Sequence, residues 1–286
     1  MERLPWKSPA PWPLEEQIDR IAQAGFDGLL VSFTDAPMTK HICSLATERD
    51  LRVAAQYFPT SVEGLKPVFD TIGEVGAEHV DHLNLHPSVR PFTVAECVPY
   101  LLGWQDLADQ AGMPMYVETH RDRMTADLLF TLQLLDCVPS LKLTADLSHF
   151  LVGREFAWPV DEDNQELIRR ILRRSFAYHG RVASREQVQI QISFAYHRQW
   201  LDLFAGWWKE GFRYFRATAP DDAVLTFTVE LGPPYWYAIT GPDGLELSDR
   251  WAEALQLAEL ARELWASIDQ EPAGNLSSVA KAMGER

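Results

Sequence analysis

Positive charge is scarce in this sequence: 26 lysines and arginines face 41 aspartates and glutamates, for a formal net charge of -15. Binding a phosphate backbone requires clustered Lys and Arg that displace counterions, so nucleic acid is not an expected partner. Cysteine is scarcer still. Cys43, Cys97 and Cys137 lie far apart with no CxxC spacing, which argues against a disulfide framework and a thiolate zinc site and makes a reducing cytoplasm the expected compartment. No segment approaches the roughly 20 apolar residues that span a bilayer, so no membrane partner is expected. The opening, with Lys7 and prolines at 5, 9, 11 and 13, lacks the apolar centre of a signal peptide. A glycine-rich phosphate loop is also missing, which leans toward an unphosphorylated substrate.

What is present is alternation. Short apolar, β-branched runs at Gly28 to Phe33, Arg52 to Tyr57, His79 to Leu85, Met115 to Glu118, Leu141 to Asp146, Ser175 to His179 and Leu225 to Glu230 read as strands. Amphipathic stretches at Leu14 to Ala24, Val62 to Val75, Val94 to Ala111, Ala126 to Cys137, Asn164 to Arg173, Tyr196 to Gly211 and Asp249 to Ile268 read as helices. This is the pattern of parallel strands with helical crossovers. The expected fold is a (β/α)8 TIM barrel forming one domain over residues 1–270, with a polar tail at 271–286. The strand count is one short, so the first strand is missing or atypical. An open doubly wound sheet is the alternative, but polar residues gathered at late strand ends favour the barrel, whose chemistry sits there.

Four strands finish on or beside a group that could bind a metal: MYVETH with Glu118, LTADLSH with Asp146 and His149, FAYHGR with His179, and FTVELGP with Glu230. Each has a plain structural explanation. Asp146 could cap a helix, Glu118 could pair with Arg121 or Arg123, His179 could be a core histidine, and Glu230 could cap the turn into Gly232-Pro233. Together, at equivalent strand ends, they point to a shared cation that relieves the cost of burying carboxylates. Asn84, His86, His120, Arg154 and Glu155 are further polar candidates near the strand ends. Trp200, Phe204, Trp207, Trp208 and Tyr214 have mostly helical spacing and are expected to pack rather than bind. Of Tyr235, Trp236 and Tyr237, one could form an apolar wall against a sugar ring.

From about Leu14 to Ile268 the chain resembles the xylose-isomerase-like TIM barrels, a superfamily of sugar isomerases and epimerases that also holds inosose dehydratases and apurinic endonucleases. Ketose 3-epimerases of this group have a metal-binding Glu, an Asp with His three residues later, a His with Arg six residues later, and a final Glu. Here these are Glu118, Asp146 with His149, His179 with Arg185, and Glu230. The resemblance implies that Glu118, Asp146, His179 and Glu230 bind one divalent ion, while His149 and Arg185 touch substrate oxygens. His86, His120 and Trp236 are further expected substrate contacts. Three carboxylates and an imidazole suit Mn²⁺ or Mg²⁺, with Co²⁺ or Zn²⁺ as alternatives. Such an ion chelates a carbonyl and its neighbouring hydroxyl and stabilises the enediolate formed when the α-proton leaves. Glu118 and Glu230 would carry the proton.

The expected activity is therefore a metal-dependent isomerase or epimerase of a sugar or polyol. A dehydratase or lyase acting on a keto-sugar or keto-inositol, which starts with the same step, is the alternative. An apurinic endonuclease would need a multi-zinc cluster with many more histidines and a basic groove, and a non-catalytic barrel would not need to keep all six residues. Barrels of this family often pair, which makes a homodimer one option.

Overall fold

The computed structural model describes residues 5–8, 10–89, 93–220, 222–234 and 236–271. Tyr235, and all but the first residue of the polar tail, lie outside the described residues. The described residues form two compact units, one of residues 11–144 and one of residues 145–271 together with 5–8 and 10.

The first unit runs α1 (Leu14–Gln23), β1 (Gly28–Ser32), α2 (Ala36–Thr47), β2 (Arg52–Tyr57), α3 (Lys66–Val75), β3 (Val80–Leu85), α4 (Val94–Gln110), β4 (Met115–Glu118), α5 (Leu128–Cys137) and the opening of β5 (Leu143–Ala145). The strands are parallel and pair in chain order, with Leu30 opposite Ala54, Ala55 opposite Leu83, Asn84 opposite Tyr116 and Glu118 opposite Thr144. Val53, Ala54, Ala55, Leu83, Leu85 and Val117 are buried, the uninterrupted apolar run expected when helices cover a parallel sheet. Side chains start the helices. Thr93 and Glu96 form a reciprocal capping box on α4, and Asp127 caps α5 through the Phe130 N–H.

The second unit contains α6 (Leu147–Gly153), α7 (Glu162–Leu172), β6 (Ser175–His179), α8 (Arg198–Thr218), β7 (Thr226–Thr228) and α9 (Arg250–Asp269). β6 and β7 are parallel, with Tyr178 opposite Phe227 and His179 opposite Thr228. The aromatics of α8 pack as expected: Trp200, Phe204, Trp207, Trp208 and Tyr214 are all buried. Trp208 meets Phe227 edge-on at 5.1 Å and Phe212 meets Tyr178 at 5.3 Å, so β6 and β7 are backed by rings in a favoured geometry.

Seven strands occur among the described residues, and within them none precedes α1. Two helices were not expected from the sequence. α2 begins with a proline behind the Asp35 cap and leaves Met38 half exposed, so its apolar stripe is thin. α6 follows β5 with no intervening loop, because Asp146 ends the strand and caps the helix at once. α8 starts two residues later and runs seven residues further than its periodicity suggested. No helix among the described residues is long and apolar enough to cross a membrane.

Candidate metal centre

In the second unit, three strand-end residues come together. Asp146 stands at the end of β5, His179 closes β6, and Glu230 follows β7. Each offers a ligand atom, and these atoms lie within 4.8 Å of one another. His179 Nδ1 is 2.6 Å from Glu230 Oε2. Asp146 and His179 are buried, while the Glu230 side chain keeps 27% exposure, so the cluster opens at Glu230. Two carboxylate oxygens and an imidazole nitrogen at this separation fit a divalent cation that accepts mixed oxygen and nitrogen donors.

Asp146 caps α6 and also faces the cluster. Its Oδ1 accepts from the Ser148 N–H at 3.0 Å and from the Ser148 hydroxyl at 2.5 Å, capping α6. Its Oδ2 faces the His149 Nε2 at 3.4 Å and the Arg181 Nε at 3.3 Å. The backbone that carries Glu230 is pinned from behind. Gln189 donates to the Gly232 carbonyl and accepts from the Gly232 N–H, and Arg250 donates to the Leu231 carbonyl. The turn into Gly232 therefore draws on Gln189, leaving the Glu230 carboxylate available for the cluster.

Arg181 was not expected here. It lies two residues beyond His179, is fully buried, and reaches Glu230 Oε1 at 2.5 Å as well as Asp146. Tyr237 lies beneath it, with the guanidinium carbon 3.9 Å from the ring centroid. Burial works against the Arg181 charge, but the Glu230 and Asp146 carboxylates outweigh it and hold its pKa above the ordinary arginine value. The signal in the sequence was only a basic residue after the strand, in FAYHGR.

Two expected substrate contacts are placed differently. The Arg185 side chain is 47% exposed and pairs with Glu155 at 3.3 Å and Glu186 at 3.4 Å. Six residues past His179 the chain has left the strand and carries Arg185 out to surface acids. Trp236 is 69% exposed, while its neighbour Tyr237 turns inward over Arg181 and stands edge-on to His149 at 6.5 Å. Tyr237 is thus the aromatic of that trio that faces the cluster.

In the first unit, Glu118 ends β4 with no exposed surface. Its Oε2 accepts from Asn84 Nδ2 at 2.6 Å and contacts His86 Nε2, and its carbonyl accepts from the Thr125 hydroxyl. Gln56 reaches the same His86 nitrogen at 2.8 Å, and Phe58 and His120 flank the ring at 4.9 and 5.0 Å. Glu118, His86 and His120 also offer ligand atoms within 4.8 Å of one another. Asn84 and Gln56 enter the cluster from β3 and β2.

The fold is that of a TIM barrel, and xylose-isomerase-like barrels are among the solved structures similar to it. A xylose-isomerase-like TIM barrel protein from Mycobacterium smegmatis, solved in complex with magnesium, is similar with a TM-score of 0.57 and 10% identity, over 89% of this chain and 90% of its own. The probable 3-DHS dehydratase from Bacillus anthracis is similar at 0.54 and 14% identity, over 87% and 95%. D-Psicose 3-epimerase from Clostridium cellulolyticum H10, with D-tagatose, is similar at 0.53 and 12% identity, over 91% and 95%. No family model and no curated protein matches the chain.

Proposed function

We propose that the protein is a divalent-metal-dependent enzyme that moves the α-proton of a sugar or polyol carbonyl compound, as an isomerase or epimerase. The observation that carries this reading is the cluster of Asp146, His179 and Glu230, whose ligand atoms lie within 4.8 Å of one another beside His149. Glu118, at the corresponding end of β4 and in register with the motif order, is proposed as the fourth ligand. Mn²⁺ or Mg²⁺ suits the set best, with Co²⁺ or Zn²⁺ as alternatives.

When bound, the ion supplies Lewis acidity toward a carbonyl oxygen and its neighbouring hydroxyl. The chain's own residues supply the rest. Glu230 keeps part of its surface open, so a substrate C–H can approach it, and Arg181 and His179 fix the direction of its carboxylate. Glu118, held by Asn84 and His86, is the second proton carrier. His149, beside Asp146, is the proposed donor to a substrate oxygen, and Tyr237 is the proposed apolar wall. Return of a proton to the opposite face of the same carbon gives epimerisation, and transfer to the adjacent carbon gives isomerisation.

The test is incubation with candidate ketoses in D₂O and Mn²⁺, followed by mass spectrometry and NMR. Deuterium at an α-carbon, with the carbon skeleton and all hydroxyls conserved, is the expected result. Loss of water or of an aglycone would move the assignment to a dehydratase or lyase. No deuterium uptake from any ketose would contradict proton transfer altogether.

A further inference from the structure

Arg181 is unusual in how it is held. Its side chain is fully buried, yet none of its three guanidinium nitrogens makes a hydrogen bond of good geometry. Charge keeps it in place, through Asp146 Oδ2 at 3.3 Å and Glu230 Oε1 at 2.5 Å, together with the Tyr237 face at 3.9 Å. A buried guanidinium usually forms a forked, bidentate pair with one carboxylate. This one is shared between two carboxylates, and both belong to the proposed ligand set. Their remaining oxygens are occupied by Ser148 on Asp146 and by His179 on Glu230.

A buried carboxylate and a half-buried one this close repel each other unless a cation lies between them. In the chain alone, that cation is Arg181. We propose that Arg181 is the site's internal counter-ion: it holds Asp146 and Glu230 together when no metal is bound, and competes with the divalent cation for the same two carboxylates. The inference rests on the metal reading above. Arginine suits the role because it stays protonated under all ordinary conditions, so it cannot shed its charge when a dication arrives. The ion must draw the carboxylates away from the guanidinium or share them with it, and both weaken its binding. The consequence is a centre that stays assembled without metal and exchanges its ion readily.

Three roles for Arg181 predict different outcomes. A competitor, when neutralised, lets metal bind more tightly. A residue that orients the ligands, when removed, weakens binding, and a residue that only fills space leaves binding unchanged. The experiment is calorimetric titration of the metal-stripped full-length chain with Mn²⁺ at low salt, alongside thermal melts in chelator. It uses the parent, Arg181→Met, Arg181→Gln and Arg181→Lys. The Met and Gln variants are expected to bind Mn²⁺ at least about tenfold more tightly and to melt at lower temperature in chelator. Lys, which keeps the charge, is expected to stay within about threefold of the parent. Should the Met variant not fold, the polar, neutral Gln variant carries the test. Neutral variants that bind no more tightly, or that melt like the parent in chelator, would overturn the counter-ion role alone. A parent that binds no Mn²⁺ would overturn the metal reading and this inference with it.

Discussion

Two glycines on one helix should respond to the same substitution with opposite signs. Gly206 and Gly211 both lie inside α8, where alanine is preferred over glycine by about 1 kcal/mol because it costs less backbone entropy. A Cβ at Gly206 meets nothing within 4 Å, so Gly206→Ala should realise most of that gain. At Gly211 the added carbon would lie 2.7 Å from Tyr178 Cζ and 2.9 Å from Cε1, and closer still to the hydroxyl oxygen. The Tyr178 ring has nowhere to retreat. It is completely buried and packs edge-on against Phe212 at 5.3 Å. Overpacking of this kind costs about 1–3 kcal/mol, which outweighs the propensity gain. Gly211→Ala should therefore lose up to about 2 kcal/mol, or up to roughly 6 °C in Tm, while Gly206→Ala gains about 2 °C. Thermal melts of both variants in one buffer check this. Tyr178 also immediately precedes His179, so only the Gly211 variant should weaken metal binding. Equal Tm shifts of the two variants would refute the reasoning.

Two further predictions concern charge. Asp146→Ala removes the α6 cap and one of the two carboxylates beside buried Arg181; urea denaturation of metal-free protein should show a loss of about 3 kcal/mol or more. Asp146→Asn, which retains the cap, should lose less. Glu271 is held below its ordinary carboxylate value of 4.5, chiefly by its hydrogen bonds from Arg213 on α8. A lowered folded-state pKa stabilises the fold above the unfolded value, and the contribution disappears as pH falls through the folded one. Glu271→Gln should accordingly lower Tm at pH 7 and match the parent once pH is well below 4.5.

Much of this was legible in the sequence because strands buried on both faces leave an unmistakable mark. Arg52–Tyr57, Met115–Glu118 and Ser175–His179 end where their apolar runs end. In the last two, the polar residue that stops the run is the candidate ligand, so Glu118 and His179 were singled out by the pattern that marked the strands. Asp146 was singled out by its strand end and His149 by its spacing from it, but α6 was missed. A helix whose cap directly follows the last strand residue leaves no turn signal between them. Arg181 was invisible because a basic residue beside a run of ligands looks like surface until its burial is known. Arg185 matched in spacing but lies at the surface beside Glu155, because spacing does not say which way a loop leaves a strand. Tyr237 could not be separated from Trp236 by composition, since only the backbone after Gly232 decides which ring turns inward.

The central proposal is that one divalent ion is bound by the Asp146, His179 and Glu230 cluster, with Glu118 as the proposed fourth ligand. The most direct measurement is an anomalous difference map at the manganese edge from crystals grown with Mn²⁺. A single strong peak within about 2.5 Å of a side-chain oxygen or nitrogen of all four residues is the predicted result. A map without such a peak, or with its strongest peak away from Asp146, His179 and Glu230, would contradict the account.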